Sequence, residues 1–288
     1  MIALFAKNVK AEDLPLIQKL IYKIEANGFK IKFYEPLFRQ IEKNIIINKS
    51  ANRFNLSDDL ALQNVKFLFS LGGDGTLLSA SSLLFNSKKI STIPILGINF
   101  GRLGFLTSVG KNELDNLIDD IKQGNYSEEL HSLIQWNEHF ALNEVVLRCE
   151  KAGEMLDINV YIDDKYLTTY TSDGVIVATP TGSTAYSLSC GGAILSPDAK
   201  CFCITPICPH NLTFRPLVIP DTHKITLEVK RSRSNVSIYF DSRSFAINQT
   251  ERVTLIKAKK EISLIRLHNQ SFFSAIGNKL MWGKNLLV

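Results

Sequence analysis

Residues 65–76 read VKFLFSLGGDGT, an apolar run that ends abruptly in a glycine-rich turn. Near-continuous apolar residues from Val65 to Leu71 are what a strand buried on both faces requires, as in a parallel sheet. Leu77 to Phe85 follow as an apolar helical segment, so the turn is the corner between a strand and a helix. In open α/β sheets ligands bind beyond the carboxyl ends of the strands, where Gly72-Gly73-Asp74-Gly75-Thr76 falls. The glycines let main-chain N–H groups approach phosphate oxygens without a side-chain clash. Asp74 adds a carboxylate to that anion site, an unfavourable neighbour for phosphate unless a metal or a transferable proton is involved. The alternative is a tight turn in which Asp74 only caps the following helix.

Upstream, Met1 to Ala6 reads as a first buried strand. Leu14, Ile17, Leu20, Ile21 and Ile24 recur at helical spacing between Ala11 and Gly28, and Lys30 to Tyr34 resembles a second strand. This β-α-β alternation predicts a parallel sheet with helices on its faces. Residues Glu42 to Asp59 are polar and Asn-rich and give no assignment. Downstream, the strand Thr92 to Ile98 runs into a glycine-punctuated segment from Gly97 to Leu106, GINFGRLGFL, a loop held close to something. Phe105 there either stacks on a flat ring or plugs the core. Leu114, Leu117, Ile118 and Ile121 give one more amphipathic helix.

From Leu130 the character changes to short strand-like runs separated by turn residues, as in an all-β domain. They are His139 to Arg148, Asp157 to Ile162, Tyr166 to Tyr170, Val175 to Ala178, Lys224 to Val229, Val236 to Phe240, Arg252 to Lys257 and Ile262 to Arg266. Within the first of them Asn143-Glu144 interrupts an apolar run, either as a surface turn or as a pair aimed at a ligand. Residues 171–192, TSDGVIVATPTGSTAYSLSCGG, carry an acidic turn, an apolar strand, a break at Pro180 and a small-residue turn. Thr184 to Ser189 reads as a short helix with hydroxyls and free N–H groups at its start, which suits phosphate. Ordinary hydroxyl capping of a corner is the alternative. Phe272 to Trp282 reads as a terminal helix.

At 288 residues, two domains are expected, and 45% hydrophobic with 21% charged residues is ordinary for a soluble globular protein. A net charge of +5 is too mild to imply nucleic acid. The basic clusters at Lys230 to Arg233 and Lys257 to Lys260 read as solvated turns or edge protection. No apolar run approaches the roughly eighteen residues of a membrane span, and no signal peptide is visible, so no membrane partner is expected. The five cysteines, Cys149, Cys190, Cys201, Cys203 and Cys208, lack the paired spacing of a zinc site or a disulfide framework. A reducing cytoplasm is therefore the expected compartment.

Taken together these motifs resemble the bacterial NAD kinase family over nearly the whole chain. The resemblance runs through GGDGT (Gly72 to Thr76), GINFGRLGFL, NE (Asn143-Glu144) and SDGVIVATPTGSTAYSLSCGG (Ser172 to Gly192). It continues in PHNLTFRPLVIP (Pro209 to Pro220) and a late DSR (Asp241 to Arg243). GGDGT alone is shared with lipid kinases and phosphofructokinases, whereas TPTGSTAY in a downstream β domain is specific. The resemblance implies a Rossmann-like α/β N-terminal domain, 1–107, completed by a returning C-terminal helix in 267–288. It implies an all-β, NAD-binding domain at 108–266. It also implies phosphoryl transfer from ATP, or in some members polyphosphate, to the adenosine ribose 2′-hydroxyl of NAD, in homodimers or homotetramers.

Residue by residue, Asp74 matches the family's catalytic aspartate, Gly75 its partner at the phosphates and Phe105 the aromatic at the adenine. Asn143 and Glu144 match the polar pair on ribose, and Asp173 the carboxylate that contacts the nicotinamide amide. Thr181, Thr184, Ala185, Tyr186 and Ser189 match the lining of the NAD site. Two places depart. The family has Gly before its Asp-Gly and a cationic residue one place earlier, where Ser172 and Thr171 stand here. Arg243 stands where Gln is usual, and it either replaces the missing cation at the substrate or serves allosteric or subunit contacts. A divalent metal, Mg²⁺, is expected to arrive with the nucleotide, since no dedicated cage is visible. The rival readings are another GGDGT-type kinase acting on a lipid or a sugar phosphate, and a non-catalytic NAD sensor.

Overall fold

The structure is a computed structural model that describes residues 1–47, 51–55, 62–85, 93–101, 104–151, 153–248, 251–267 and 271–282. Thr92 of the expected strand, Arg102 and Leu103 of the glycine segment and the chain after 282 lie outside the described residues. The chain divides into two compact units, 1–130 with 262–288, and 131–261. The sequence motifs place these borders at 107/108 and 266/267. Residues 108–130 join the first unit because Leu114, Leu117, Ile118 and Ile121 bury into the same core as Ile2, Leu4 and Phe69.

The first unit is built on a parallel sheet. Strand Ile2–Phe5, buried at all four residues, lies between Ile31–Tyr34 on one side and Phe67–Leu71 on the other. Asn52–Phe54 extends the sheet beyond the former, and Ile95–Ile98 beyond the latter. Helix Leu14–Ala26 covers the sheet with Ile17, Leu20, Ile21 and Ile24, and stops before Gly28 at φ +80°. A second helix, Asp74–Phe85, starts directly at the glycine turn. The chain leaves the central strand in one direction for Ile31–Tyr34 and returns on the other side as Phe67–Leu71. The strand order therefore reverses at the carboxyl end of Ile2–Phe5, the place where such sheets open a crevice.

The second unit is β-rich. One antiparallel sheet runs in the order Leu217–Pro220, Cys201–Ile207, Gly174–Ala178, Glu144–Cys149, Val236–Phe240 and Arg243–Ile247. Alternation sorts its side chains by face. Val145, Leu147, Val175 and Val177 join a core with Ile158, Val160 and Leu227 of the other strands. Val146, Ile176 and Ala178 face the opposite way and pack with Tyr186 and Cys190. The expected strands Arg252 to Lys257 and Ile262 to Arg266 are one continuous strand, Arg252–Leu267. Its first part pairs with Ile225–Arg231, and Leu264 pairs with Ile95 of the first unit's sheet. Helix Phe272–Lys279 belongs to the first unit, where Ile276 is buried. Among the described residues no helix is long and apolar enough to cross a membrane.

Candidate functional site

Asp74 opens its helix, but its carboxylate does not cap it. Oδ2 accepts from the Phe105 N–H at 2.7 Å, and Oδ1 accepts from Leu106 N–H at 3.2 Å and Thr107 N–H at 3.1 Å. The Thr107 hydroxyl adds a fourth bond to Oδ1 at 3.2 Å. The carboxylate thus turns onto the 104–107 loop, because three main-chain donors there offer it charge-assisted bonds. Gly104 is what allows the approach: a Cβ on it would lie 1.5 Å from Asp74 Oδ1. The loop is held from behind as well, since Arg266 donates to the Phe105 carbonyl at 2.9 Å and to Glu129 Oε2 at 2.8 Å. Phe105 is half-buried rather than sealed in the core, with its ring centroid 6.4 Å from that of Phe272.

Next to the same glycine turn, beyond strands Ile2–Phe5 and Phe67–Leu71, a cavity of about 370 Å³ opens at the reversal of strand order. Gly72, Gly73 and Thr76 line it together with Asn99, Lys10 and Lys111. Lys111 pairs with Asp13 at 3.6 Å, and Gly75 is exposed on the first turn of the helix. Glu12 and Asp13 line the cavity too, and Lys10 pairs with Glu12 at 3.5 Å, so the two lysines are balanced and it is the glycine backbone that suits phosphate oxygens.

In the second unit Asn143 and Glu144 are both buried, at 7% and 8% exposure. Asp241 clamps their backbone, taking N–H bonds from Leu142 at 3.0 Å, Asn143 at 2.7 Å and Glu144 at 3.3 Å. Asn143 Oδ1 and Glu144 Oε2 are buried acceptors without a hydrogen-bond partner among the described residues. Such atoms are costly unless a ligand or water satisfies them. Burial pushes the Glu144 carboxyl up to about 8, the nearby Asp241 adds to this, and the Tyr186 N–H opposes it. Burial also raises the Asp241 pKa against the pull of its three N–H donors.

The TPTGSTAY corner folds over this pair. Thr179 donates its hydroxyl to the Leu142 carbonyl at 2.6 Å and its N–H to the Asn143 carbonyl at 2.9 Å. Gly182 packs so closely that a Cβ would lie 2.0 Å from the Asn143 oxygen. Thr181 bonds its hydroxyl to His131 Nδ1 at 2.8 Å, and the Thr184 hydroxyl donates to the Thr181 carbonyl at 3.4 Å. The helix expected from Thr184 begins instead at Tyr186 and ends at Ser189. A 3-10 turn, Thr181–Thr184, precedes it, and Ala185 at φ −103° and ψ −129° breaks the two apart. One turn of helix carries little dipole, so that helix start offers a phosphate little, contrary to expectation. The corner instead presents Ala185 and Tyr186 beside Glu144. Asp173 is near enough to contribute to the raised Tyr186 pKa, whose main cause is burial. Ser189 is exposed at the end of the short helix.

Known proteins share this geometry's sequence. Residues 10–126 match the ATP-NAD kinase N-terminal domain and residues 142–267 the ATP-NAD kinase C-terminal domain. Curated NAD kinases of Flavobacterium psychrophilum and Bacteroides fragilis are 35% and 36% identical, each covering 99% of this chain. The aligned parts are 98% and 99% of those relatives' lengths. The chain belongs to the NAD kinase family. The NAD kinase fold is also evident in solved structures. Yeast NADH kinase complexed with NADH superposes with a TM-score of 0.84 at 21% identity, over 98% of this chain and 88% of that one. An NAD kinase from Archaeoglobus fulgidus in complex with ATP gives 0.74 at 23%, over 98% and 99%.

Within this NAD kinase chain, the unit 131–261 brings Asn143, Glu144, Thr181, Thr184, Ala185 and Tyr186 together, with Asp173 near Tyr186. Arg243 is placed otherwise: its guanidinium donates to the Phe140 carbonyl, and burial lowers its pKa against the pull of Asp241. At Thr171, the hydroxyl donates to Asp157 Oδ1 at 2.7 Å, and Arg231 pairs with the other oxygen at 2.9 Å. Sequence reasoning missed Asp241, His131, Lys10 and Lys111. The DSR motif was the available signal for Asp241; the other three stand in no motif.

Proposed function

We propose that this chain transfers the terminal phosphoryl group of ATP, or of polyphosphate, to the 2′-hydroxyl of the adenosine ribose of NAD, giving NADP. Full-length kinship with curated NAD kinases carries this reading. The geometry agrees with it. Two buried polar atoms without partners suit the hydroxyls of a ribose, and a glycine turn beside a polar cavity that holds Lys10 and Lys111 suits a polyphosphate chain. Phe105, half-buried rather than sealed in the core, suits the adenine.

In this reading Asp74 orients the 2′-hydroxyl and takes its proton late. A ribose hydroxyl is far less acidic than a carboxyl, and phosphoryl transfer has a loose transition state, so positioning outweighs nucleophile activation. The Asp74 carboxylate is already spent on the 104–107 loop, so it also holds Phe105 in place. Reaching a substrate hydroxyl then requires a remaining lone pair of Oδ2, which has one partner against three on Oδ1. Among the described residues no three His, Cys, Asp or Glu side chains gather to hold a metal ion. We assign a divalent cation, Mg²⁺, to the donor, because Mg²⁺ keeps several of its waters and binds through substrate phosphates rather than a dedicated protein cage.

Homodimers or homotetramers and a reducing, cytoplasmic setting complete the proposal. The five cysteines, all free, are compatible with the latter. Sedimentation of the purified chain tests the former. An acceptor panel of NAD, NADH and diacylglycerol, with ATP or polyphosphate as donor and NADP formation followed, tests the activity. Turnover of diacylglycerol and none of NAD would replace this reading with that of a lipid kinase. Tight NAD binding without turnover would leave a sensor.

A further inference from the structure

The surroundings of Asp74 include one cation that no motif marks. Lys279 ends the helix Phe272–Lys279, and its ammonium stands 4.6 Å from the centroid of the Phe105 ring. Burial lowers its pKa, and Asp74 is close enough to oppose that shift. Several attachments fix this placement. The helix is capped by a reciprocal Ser271–Ser274 box, Ile276 is buried, and Phe272 lies against the same Phe105 ring. Phe105 itself is tied through its N–H to Asp74 and through its carbonyl to Arg266. Among the described residues Lys279 forms no hydrogen bond or ion pair, and its direct contact is the ring face. A half-buried ammonium on an aromatic ring keeps its three donors unspent, and the ring offsets only part of the desolvation. A carboxylate that takes four hydrogen bonds from the 105–107 loop and an ammonium that makes none are thus close enough to feel each other's charge.

We infer that Lys279 meets the phosphoryl group as it passes to the acceptor, and afterwards holds the phosphate monoester that forms. This rests on the NAD kinase reading, in which the adenine lies on Phe105 and the acceptor hydroxyl at Asp74. A cation within reach of both the ring and the carboxylate is within reach of the ribose carbon between them. In the transfer, the 2′-oxygen forms a bond to the γ-phosphorus. The bond from that phosphorus to the β–γ bridging oxygen breaks, and its electron pair leaves with ADP. The hydroxyl proton goes to Asp74 and then to water. Charge on the three equatorial oxygens would otherwise face the Asp74 carboxylate unbalanced. Lys279 supplies the balancing charge from a separate element of the chain. Its preference is for the transferring and transferred phosphoryl group over the free hydroxyl, which is the differential binding that raises turnover.

The test uses the full chain and the variants Lys279→Met, Lys279→Gln and Lys279→Arg. Turnover, KM for NAD and ATP, melting temperature and the affinities for NAD and NADP are measured for each. We expect Met and Gln to lower kcat by about 10²-fold, in line with loss of one preorganised charge donor. We also expect the affinity for NADP to fall about tenfold relative to that for NAD, with Arg restoring much of both. A merely structural lysine would move the melting temperature and leave the NADP-to-NAD affinity ratio alone. An unchanged ratio in whichever of Met and Gln folds, with kcat within twofold of wild type, overturns the inference while leaving the kinase reading intact. A wild-type chain that makes no NADP overturns both.

Discussion

Replacing Glu144 with glutamine should make the protein more stable at alkaline pH and change little at acid pH. Burial, aided by Asp241, lifts the folded-state pKa of this carboxyl from 4.5 to about 8. The unfolded chain releases the proton near the ordinary value, so between those two pH values the unfolded state binds fewer protons than the native one. Stability is therefore fully present below pH 4.5 and is lost as pH rises through 8. A tenfold change in an ionisation constant corresponds to about 1.4 kcal/mol, which sets a ceiling of about 5 kcal/mol on the loss. Glutamine keeps the shape and a donor in place of the protonated carboxyl, and never ionises. Asp241, also raised, remains in both proteins, so its contribution largely cancels in the difference. Urea unfolding of both proteins at pH 5, 6.5 and 8.5 measures the effect. The stability difference should be below about 1 kcal/mol at pH 5 and reach several kcal/mol in favour of Glu144→Gln at pH 8.5. A difference that stays flat with pH would refute the reasoning, because it would mean that Glu144 is hydrated and charged in the native state.

Three further substitutions probe the same framework. Asp74→Asn should lower turnover by about 10²–10⁴-fold and loosen the 104–107 loop, because an amide cannot accept from every donor facing it. Amide hydrogen exchange at Phe105 and Thr107 reads the loop, and near-wild-type kcat would remove Asp74 from the chemistry. Asp241→Ala should weaken NAD binding about tenfold or more while the fold persists, since the Leu142–Glu144 backbone loses bonds of about 1.5–3 kcal/mol each; equal NAD affinity by titration would show that the clamp is dispensable. Ala185→Leu should block NAD with little change in melting temperature, whereas overpacking a core position would cost about 1–3 kcal/mol of stability. Calorimetric titration beside a melting curve separates the two, and unchanged affinity would rule out this corner as the binding place.

Much of the first unit was legible because its strands are short apolar runs, as in Val65 to Leu71, and its first helix has clear periodicity, as in Leu14 to Ile24. The seven-residue helix Glu35–Ile41 was not, since a strand runs straight into it and Pro36 reads as a break. The long strand Tyr126–Trp136 carries Glu128 and Glu129 near its start, where Ser263 and Arg266 of the long strand Arg252–Leu267 bond them, a pairing no local pattern shows. Lys257 to Lys260 read as a solvated turn or as edge protection; the strand continues through them, with Lys257 paired to the buried Asp221 at 2.6 Å. The border at 130/131 coincides with the change to short strands at Leu130, a composition signal nearer the structural division than the motif-based boundary.

For the candidate site, motifs located the residues but not the way they are held. The Asp74 and Asp241 clamps join positions roughly 30 and 100 apart in sequence, and no local pattern encodes either. The break at Ala185 is a backbone feature of a small residue that also favours helix, so Thr184 looked like a helix start. Lys279 was invisible for a similar reason: its meaning comes from the Phe105 loop, which reaches it only through tertiary packing.

The central claim is phosphorylation of NAD at the adenosine ribose. Its most direct measurement is incubation of the purified chain with NAD, ATP and Mg²⁺, with the product quantified by an NADP-specific dehydrogenase and the phosphate position assigned by phosphorus NMR. The expected result is ATP-dependent formation of NADP bearing a 2′-phosphomonoester, lost in Asp74→Asn. A chain that binds NAD and ATP yet forms no NADP, or forms a phosphate ester at another hydroxyl, would contradict the account.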